Sequence, residues 1–142
     1  MKRRDFIRLS AAGAGAGLLI PQTVLAKNCD AMSASGTIYY TEDSPGRWSG
    51  KAATHLPVIE IEKKADKMTA KVLTPHEMKG YEHYIVKHVL LDKNYQFLDE
   101  KMFNPLADKT AESFFTLANY SGPLYALSMC NKHDLWLNSI TV

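Results

Sequence analysis

From Gly36 onward, short runs of Val, Ile, Tyr and Phe are broken every few residues by turn formers, and no long amphipathic helix appears. Candidate strands run over 36–41, 58–62, 68–73, 83–91, 95–102, 112–117, 123–129 and 135–142. Between them sit Asp43-Ser44-Pro45-Gly46, residues 63–66, Asp92-Lys93-Asn94 and Asn119-Tyr120-Ser121-Gly122, with the glycines and short polar side chains that turns require. The Asp92-Lys93-Asn94 segment predicts a tight hairpin. About seven or eight short strands at this spacing predict an all-β chain, an antiparallel β-sandwich of immunoglobulin-like character.

The first residues stand apart from that pattern. Arg3-Arg4-Asp5-Phe6-Ile7-Arg8 reads as a twin-arginine export signal, followed by a weakly apolar stretch from Leu9 to Ile20 and by Val24-Leu25-Ala26, which predicts cleavage after Ala26. Twelve residues interrupted by glycines span only about 18 Å as a helix, too short for a stable membrane anchor. The expected location is therefore the periplasm, reached by a route that carries folded proteins. Cleavage leaves 116 residues, enough for one core, with 13 Lys and Arg against 14 Asp and Glu. A net charge near zero excludes a nucleic-acid partner, since no basic stripe remains to neutralise phosphates.

Three segments concentrate metal-binding side chains: Thr54-His55-Leu56-Pro57-Val58-Ile59-Glu60, His76-Glu77-Met78-Lys79-Gly80-Tyr81-Glu82-His83-Tyr84-Ile85, and Cys130-Asn131-Lys132-His133-Asp134-Leu135-Trp136. Imidazole suits several transition metals, and thiolate donates strongly enough to tune a redox metal or to fix zinc. Cys130 and His133 are three apart, which reverses side-chain parity on a strand, so they must share a turn to meet one ion. His88 is five from His83 and faces the other side of a regular strand, which makes it structural.

Together these segments resemble the iron site of the superoxide reductases, the family of neelaredoxin and of the iron-binding domain of desulfoferrodoxin. The resemblance covers roughly 48–142 and is most specific at Glu82-His83-Tyr84-Ile85 and over Cys130 to Trp136. With the export signal read above, the expected organisation is a signal peptide, 1–26, an N-terminal extension, 27–47, and the iron-binding domain, 48–142. It implies a mononuclear iron held by His55, His76, His83 and His133 in a plane, with Cys130 as the axial thiolate and His133 bound through the nitrogen nearer its backbone. It also implies one-electron reduction of superoxide to hydrogen peroxide on the open face, fed by an external electron donor, and a homo-oligomer.

The chain departs from the family pattern in three places. The family usually carries Glu-Lys before the first histidine, the lysine to attract superoxide; here Ala53-Thr54 stand there, leaving Lys51 and Lys79 as candidates for that cation against the plainer reading of solvated lysines. Six residues separate His76 from His83 where five are usual, so Lys79-Gly80 must absorb a change of parity in a loop. Asp134 replaces a glycine, and Asp tolerates left-handed backbone better than most residues. The two cysteines, Cys29 and Cys130, cannot supply the four ligands of an additional rubredoxin-like iron, and Cys29 reads as a spare thiol. Trp136 is expected in the core and over the Cys-His turn. The competing reading is an iron-binding electron-transfer or metal-binding protein without reductase activity. A blue-copper site lacks its axial Met after His133, and a four-coordinate zinc site leaves one imidazole without a role.

Overall fold

The computed structural model describes residues 34–142. The expected signal segment, its cleavage point and Cys29 lie outside them. Seven strands follow in order: β1 (Val58–Lys64), β2 (Lys67–Thr74), β3 (Ile85–Leu91), β4 (Phe97–Met102), β5 (Ala111–Leu117), β6 (Pro123–Cys130) and β7 (Asp134–Thr141). They form two antiparallel sheets, one ordered β1-β2-β5 and the other β4-β3-β6-β7. The only α-helix among the described residues is one turn, α1 (Ala52–His55), preceded by a 3-10 turn at Gly46–Trp48.

Burial explains the sandwich. β5 and β6 alternate buried with more exposed residues, which is the period that puts every second side chain into one interior. The main core joins Ile59, Ala70, Val72, Leu90, Phe115, Leu117, Leu124 and Ala126. A second cluster of Ile85, Phe103, Ala111 and Cys130 continues it, so the core runs up to the thiol. Between the two lies a buried polar bridge. Thr74 Oγ1 donates to Ser128 Oγ at 2.8 Å and lies 2.9 Å from His88 Nε2, while His88 Nδ1 is 2.9 Å from Ser113 Oγ. These four residues are buried and come from both sheets, and each polar atom meets a partner, as burial demands. His88 is thus structural, though not by parity with His83, which lies in the loop before β3 rather than on the expected strand 83–91.

Strand direction sets where chemistry can gather. β2 and β6 end, and β3 and β7 begin, at the same end of the sandwich, where the β2–β3 connection meets the β6–β7 turn. The turns at 65–66, 92–96 and 118–122 lie at the other end.

Two local expectations differ from the structure. Residues 36–41 are not a strand, because Gly36 at φ 81° turns the chain and the amides of Thr37, Ile38 and Tyr39 all fold back on the Ala34 carbonyl. Only Tyr40 reaches β7, donating to Leu135 O and accepting from Leu137 N, both at 2.8 Å. The hairpin after β3 is longer than expected: the Asp92 carboxylate accepts from the amides of Asn94 and Gln96, which rounds the chain into a five-residue loop and delays β4 to Phe97.

Candidate metal centre

The five candidate ligands arrive on four different pieces of backbone. His55 closes α1, His76 follows β2, His83 ends the loop before β3, and Cys130 and His133 flank the β6–β7 turn. His76 and His83 can face each other because the chain doubles back between them: Lys79 N donates to His83 O at 2.8 Å, Glu82 N donates to Lys79 O at 3.2 Å, and Gly80 sits at φ 53°. A residue with a Cβ is strained there, whereas glycine is not. The tight β6–β7 turn is permitted by Asp134 at φ 60°. Asn131 holds that turn against the His83 loop, accepting from Tyr84 N at 3.0 Å and donating to the carbonyls of Tyr81 and Glu82.

The ligand atoms all lie within 4.8 Å of one another. His55 Nε2 is 2.9 Å from His133 Nδ1, which is 3.0 Å from His83 Nε2, which is 3.1 Å from His76 Nε2. Hydrogen bonds do not close this ring: a proton on His133 Nδ1 can serve its contacts with His55 and His83, but His76 and His83 face each other while Nδ1 of each is already bonded to Glu77. His55 Nδ1–H donates to Lys51 O at 3.1 Å, and His76 Nδ1–H donates to Glu77 O, so in each neutral ring the inward Nε2 is a bare lone pair. Lone pairs aimed at one another repel unless a cation lies among them. Nitrogens bound at right angles around a metal at about 2.1 Å stand about 3.0 Å apart along an edge, which is the spacing found.

Cys130 Sγ is 3.7 Å from His76 Nε2 and 3.6 Å from His133 Nδ1, nitrogens that are not neighbours in the ring. The sulfur is thus nearly equidistant from two opposite nitrogens of the ring. It accepts from Lys132 N at 3.5 Å. On the ring's flank lies a cavity of about 340 Å³ lined by Lys51, Thr54, His55, Pro75, His76, Glu77 and His83, and without the cysteine. The donor set fits a transition metal with one thiolate and four imidazoles.

Burial and neighbouring imidazoles push His55 down to about 4, and burial chiefly lowers His76 and His133. Neutral imidazole is the form that binds metal. Burial pushes the Cys130 thiol up, so a metal must displace its proton.

Three sets of contacts were not legible in the sequence. Glu77 orients two histidines, His76 through its carbonyl and His83 through Oε1 at 3.3 Å from Nδ1. Its other oxygen pairs with Lys79 Nζ at 2.9 Å, so Lys79 stands outside the cavity that Lys51 lines. Asp134 Oδ2 accepts from the Arg47 guanidinium and from Trp48 Nε1 at 2.9 Å. Trp136 is buried and lies against the Cys-His turn as expected: its indole donates to His133 O at 2.9 Å and packs against His55 and Tyr40.

Residues 47–139 match the desulfoferrodoxin family profile. The chain belongs to the desulfoferrodoxin family. Curated relatives agree: it is 35% identical over 109 residues to the superoxide reductase of Thermococcus kodakarensis, covering 68% of this chain and 92% of that one. The similarity to the superoxide reductase of Pyrococcus abyssi is 34% over 107 residues, covering 67% and 90%. Among solved structures, the superoxide reductase (neelaredoxin) of Ignicoccus hospitalis superposes with a TM-score of 0.62 at 30% identity, over 75% of this chain and 95% of that one. A putative superoxide reductase from Thermotoga maritima gives a TM-score of 0.57 at 25% identity, over 74% and 92%. Desulfoferrodoxin-family membership thus extends across both sheets and all five candidate ligands.

Proposed function

We propose that the protein is a superoxide reductase: superoxide, one electron and two protons give hydrogen peroxide at a mononuclear iron held by His55, His76, His83, His133 and Cys130. The observation that carries this reading is the convergence of five donor atoms within 4.8 Å, in a chain whose relatives are superoxide reductases. An iron held by these residues would supply one-electron chemistry, with the Cys130 thiolate as its strongest donor.

The chain's own residues prepare that chemistry. Lys51 O and Glu77 O fix the tautomers of His55 and His76, and the Glu77 carboxylate holds His83 through its outer nitrogen. Lys51 and Thr54 border the cavity beside the histidines, so Lys51 is the cation placed to draw a small anion inward. The cavity favours a reductase over a pure electron carrier, which has no need of a substrate space beside its metal. Lys79, neutralised by Glu77, serves the His83 loop instead.

The reading includes a separate electron donor, export to the periplasm by the Arg3-Arg4 signal, and a homo-oligomer, for which exposed Phe97, Leu98 and Met102 on β4 supply apolar surface. Among the described residues, no helix is long and apolar enough to cross a membrane.

Iron content and pulse radiolysis test the function together. About one iron per chain and rapid oxidation of the ferrous protein by superoxide are expected. Cys130→Ser should keep the fold but lose the thiolate-to-iron absorption and most of the turnover. Iron that binds but does not react with superoxide would favour the electron-transfer reading.

A further inference from the structure

The β6–β7 turn carries two of the five ligands, and Asn131 anchors it on one side only. On the other side is a group of three residues that the metal reading does not use. Asp134 immediately follows His133 and pairs with Cys130 across the β6–β7 ladder. Its Oδ2 accepts from both Arg47 and Trp48 Nε1, the latter at 2.9 Å. The Trp48 ring in turn meets the His133 imidazole edge to face, with centroids 4.7 Å apart, and the Arg47 guanidinium lies over the indole at 4.9 Å. One carboxylate therefore gathers an ion pair, an indole and a ligand imidazole.

We infer that Asp134, Arg47 and Trp48 form a clasp that fixes the orientation of His133 and keeps the charge beside the Cys130 thiolate balanced. This inference rests on the reading of His133 and Cys130 as iron ligands. Two features support it. First, the contacts are directional: Trp48 cannot donate to Asp134 and keep its ring against His133 unless the turn is held in the left-handed conformation seen at Asp134. Second, the charges are poised around the sulfur. Arg47, Asp134 and Cys130 line one cavity of about 440 Å³, and nothing else charged lines it. Opposite charges so close nearly cancel at a distance, whereas either alone acts on the thiolate, weakened by the solvent that reaches both side chains.

The sign of the effect separates this from a merely structural role. Arg47→Gln leaves the Asp134 carboxylate uncompensated near the sulfur, which favours the more positive, oxidised iron and lowers its midpoint potential. Asp134→Asn leaves the guanidinium uncompensated and raises the potential, while its amide oxygen still accepts from Trp48 and Asn tolerates the left-handed backbone. These two substitutions should move the potential in opposite directions, and the double variant should return close to the wild-type value. Trp48→Phe keeps a ring but removes the donor, so it should leave the potential nearly unchanged and speed loss of iron to a chelator several-fold by loosening His133.

Redox titration of the iron-loaded protein, followed at the thiolate charge-transfer band, is the experiment. The wild-type band tests the ligand set by itself, and its absence would overturn both readings. With the band present, opposite shifts and their cancellation support the clasp. Shifts of the same sign, or no shift in either single variant, would overturn it while leaving the metal site intact.

Discussion

At the scale of single residues, the site is decided by which atom of each side chain is already occupied. His55 and His76 turn Nε2 inward because Nδ1 is committed to a carbonyl one turn or one residue away. His133 does the reverse, presenting Nδ1, as the resemblance implied. The charged pair absent at Ala53-Thr54 has a proposed stand-in at this scale. Lys51 stands three residues before Thr54, one helical turn away, and borders the same cavity. Lys51→Ala should therefore slow the second-order reaction of the ferrous protein with superoxide several-fold at low ionic strength, whereas Lys79→Ala should change it little. Pulse radiolysis at two salt concentrations is the check, because the advantage of the wild type must shrink as salt screens the charge. Equal rates for wild type and Lys51→Ala at low salt would remove Lys51 from the reaction.

At the scale of elements, the loop between β2 and β3 carries two ligands and a residue count that a regular strand cannot accommodate. Gly80 at φ 53° resolves it. Gly80→Ala meets no close atom, the nearest being Leu106 Cδ2 at 3.9 Å, so its cost is conformational alone, about 1–2 kcal/mol. Denaturant unfolding should report that loss, together with faster release of iron; Gly80→Asn, which enters left-handed space more easily, should lose less. An Ala variant as stable as wild type would mean that the doubling back does not depend on glycine.

The sequence made β5 and β6 legible through their period of two and the other strands through short Val-, Ile-, Leu- and Phe-bearing runs between turns, although β4, Phe97-Leu98-Asp99-Glu100-Lys101-Met102, is exposed throughout; the five candidate ligands were legible because their three segments resemble one family's iron site. It hid what depends on three-dimensional meeting. Nothing in Glu77 announces that its carbonyl and its carboxylate serve different histidines, and Arg47 and Asp134 are 87 residues apart. Residues 36–41 misled because Ile38, Tyr39 and Tyr40 look like a strand, while the outcome was decided by a left-handed Gly36 and by the Ala34 carbonyl.

At the scale of the molecule, buried neutral histidines couple stability to pH. Burial holds His55, aided by the adjacent His76, and His88 near about 4, below the ordinary 6.5. A histidine depressed in the folded state takes up its proton first in the unfolded chain. Its contribution is therefore complete above about pH 6.5 and is lost as the pH falls toward 4. Guanidinium unfolding of the iron-free protein should show a plateau above neutrality and a steady decline below pH 6.5. His88→Gln, which can still bond Thr74 and Ser113, should flatten that decline; a profile as steep as the wild type's would assign the effect to other groups.

The placement of all five ligands at one end of the sandwich has a practical side. β7 begins beside the iron site at Asp134 and runs eight residues to Thr141, so Thr141 stands about 25 Å away, at the opposite end. A fusion partner, an affinity handle or a linker to a solid support attached at Val142 leaves the cavity beside Lys51 clear. Immobilised in that orientation, the protein would present its metal end outward to dissolved anions and soluble donors alike, ready for use as a sensing layer.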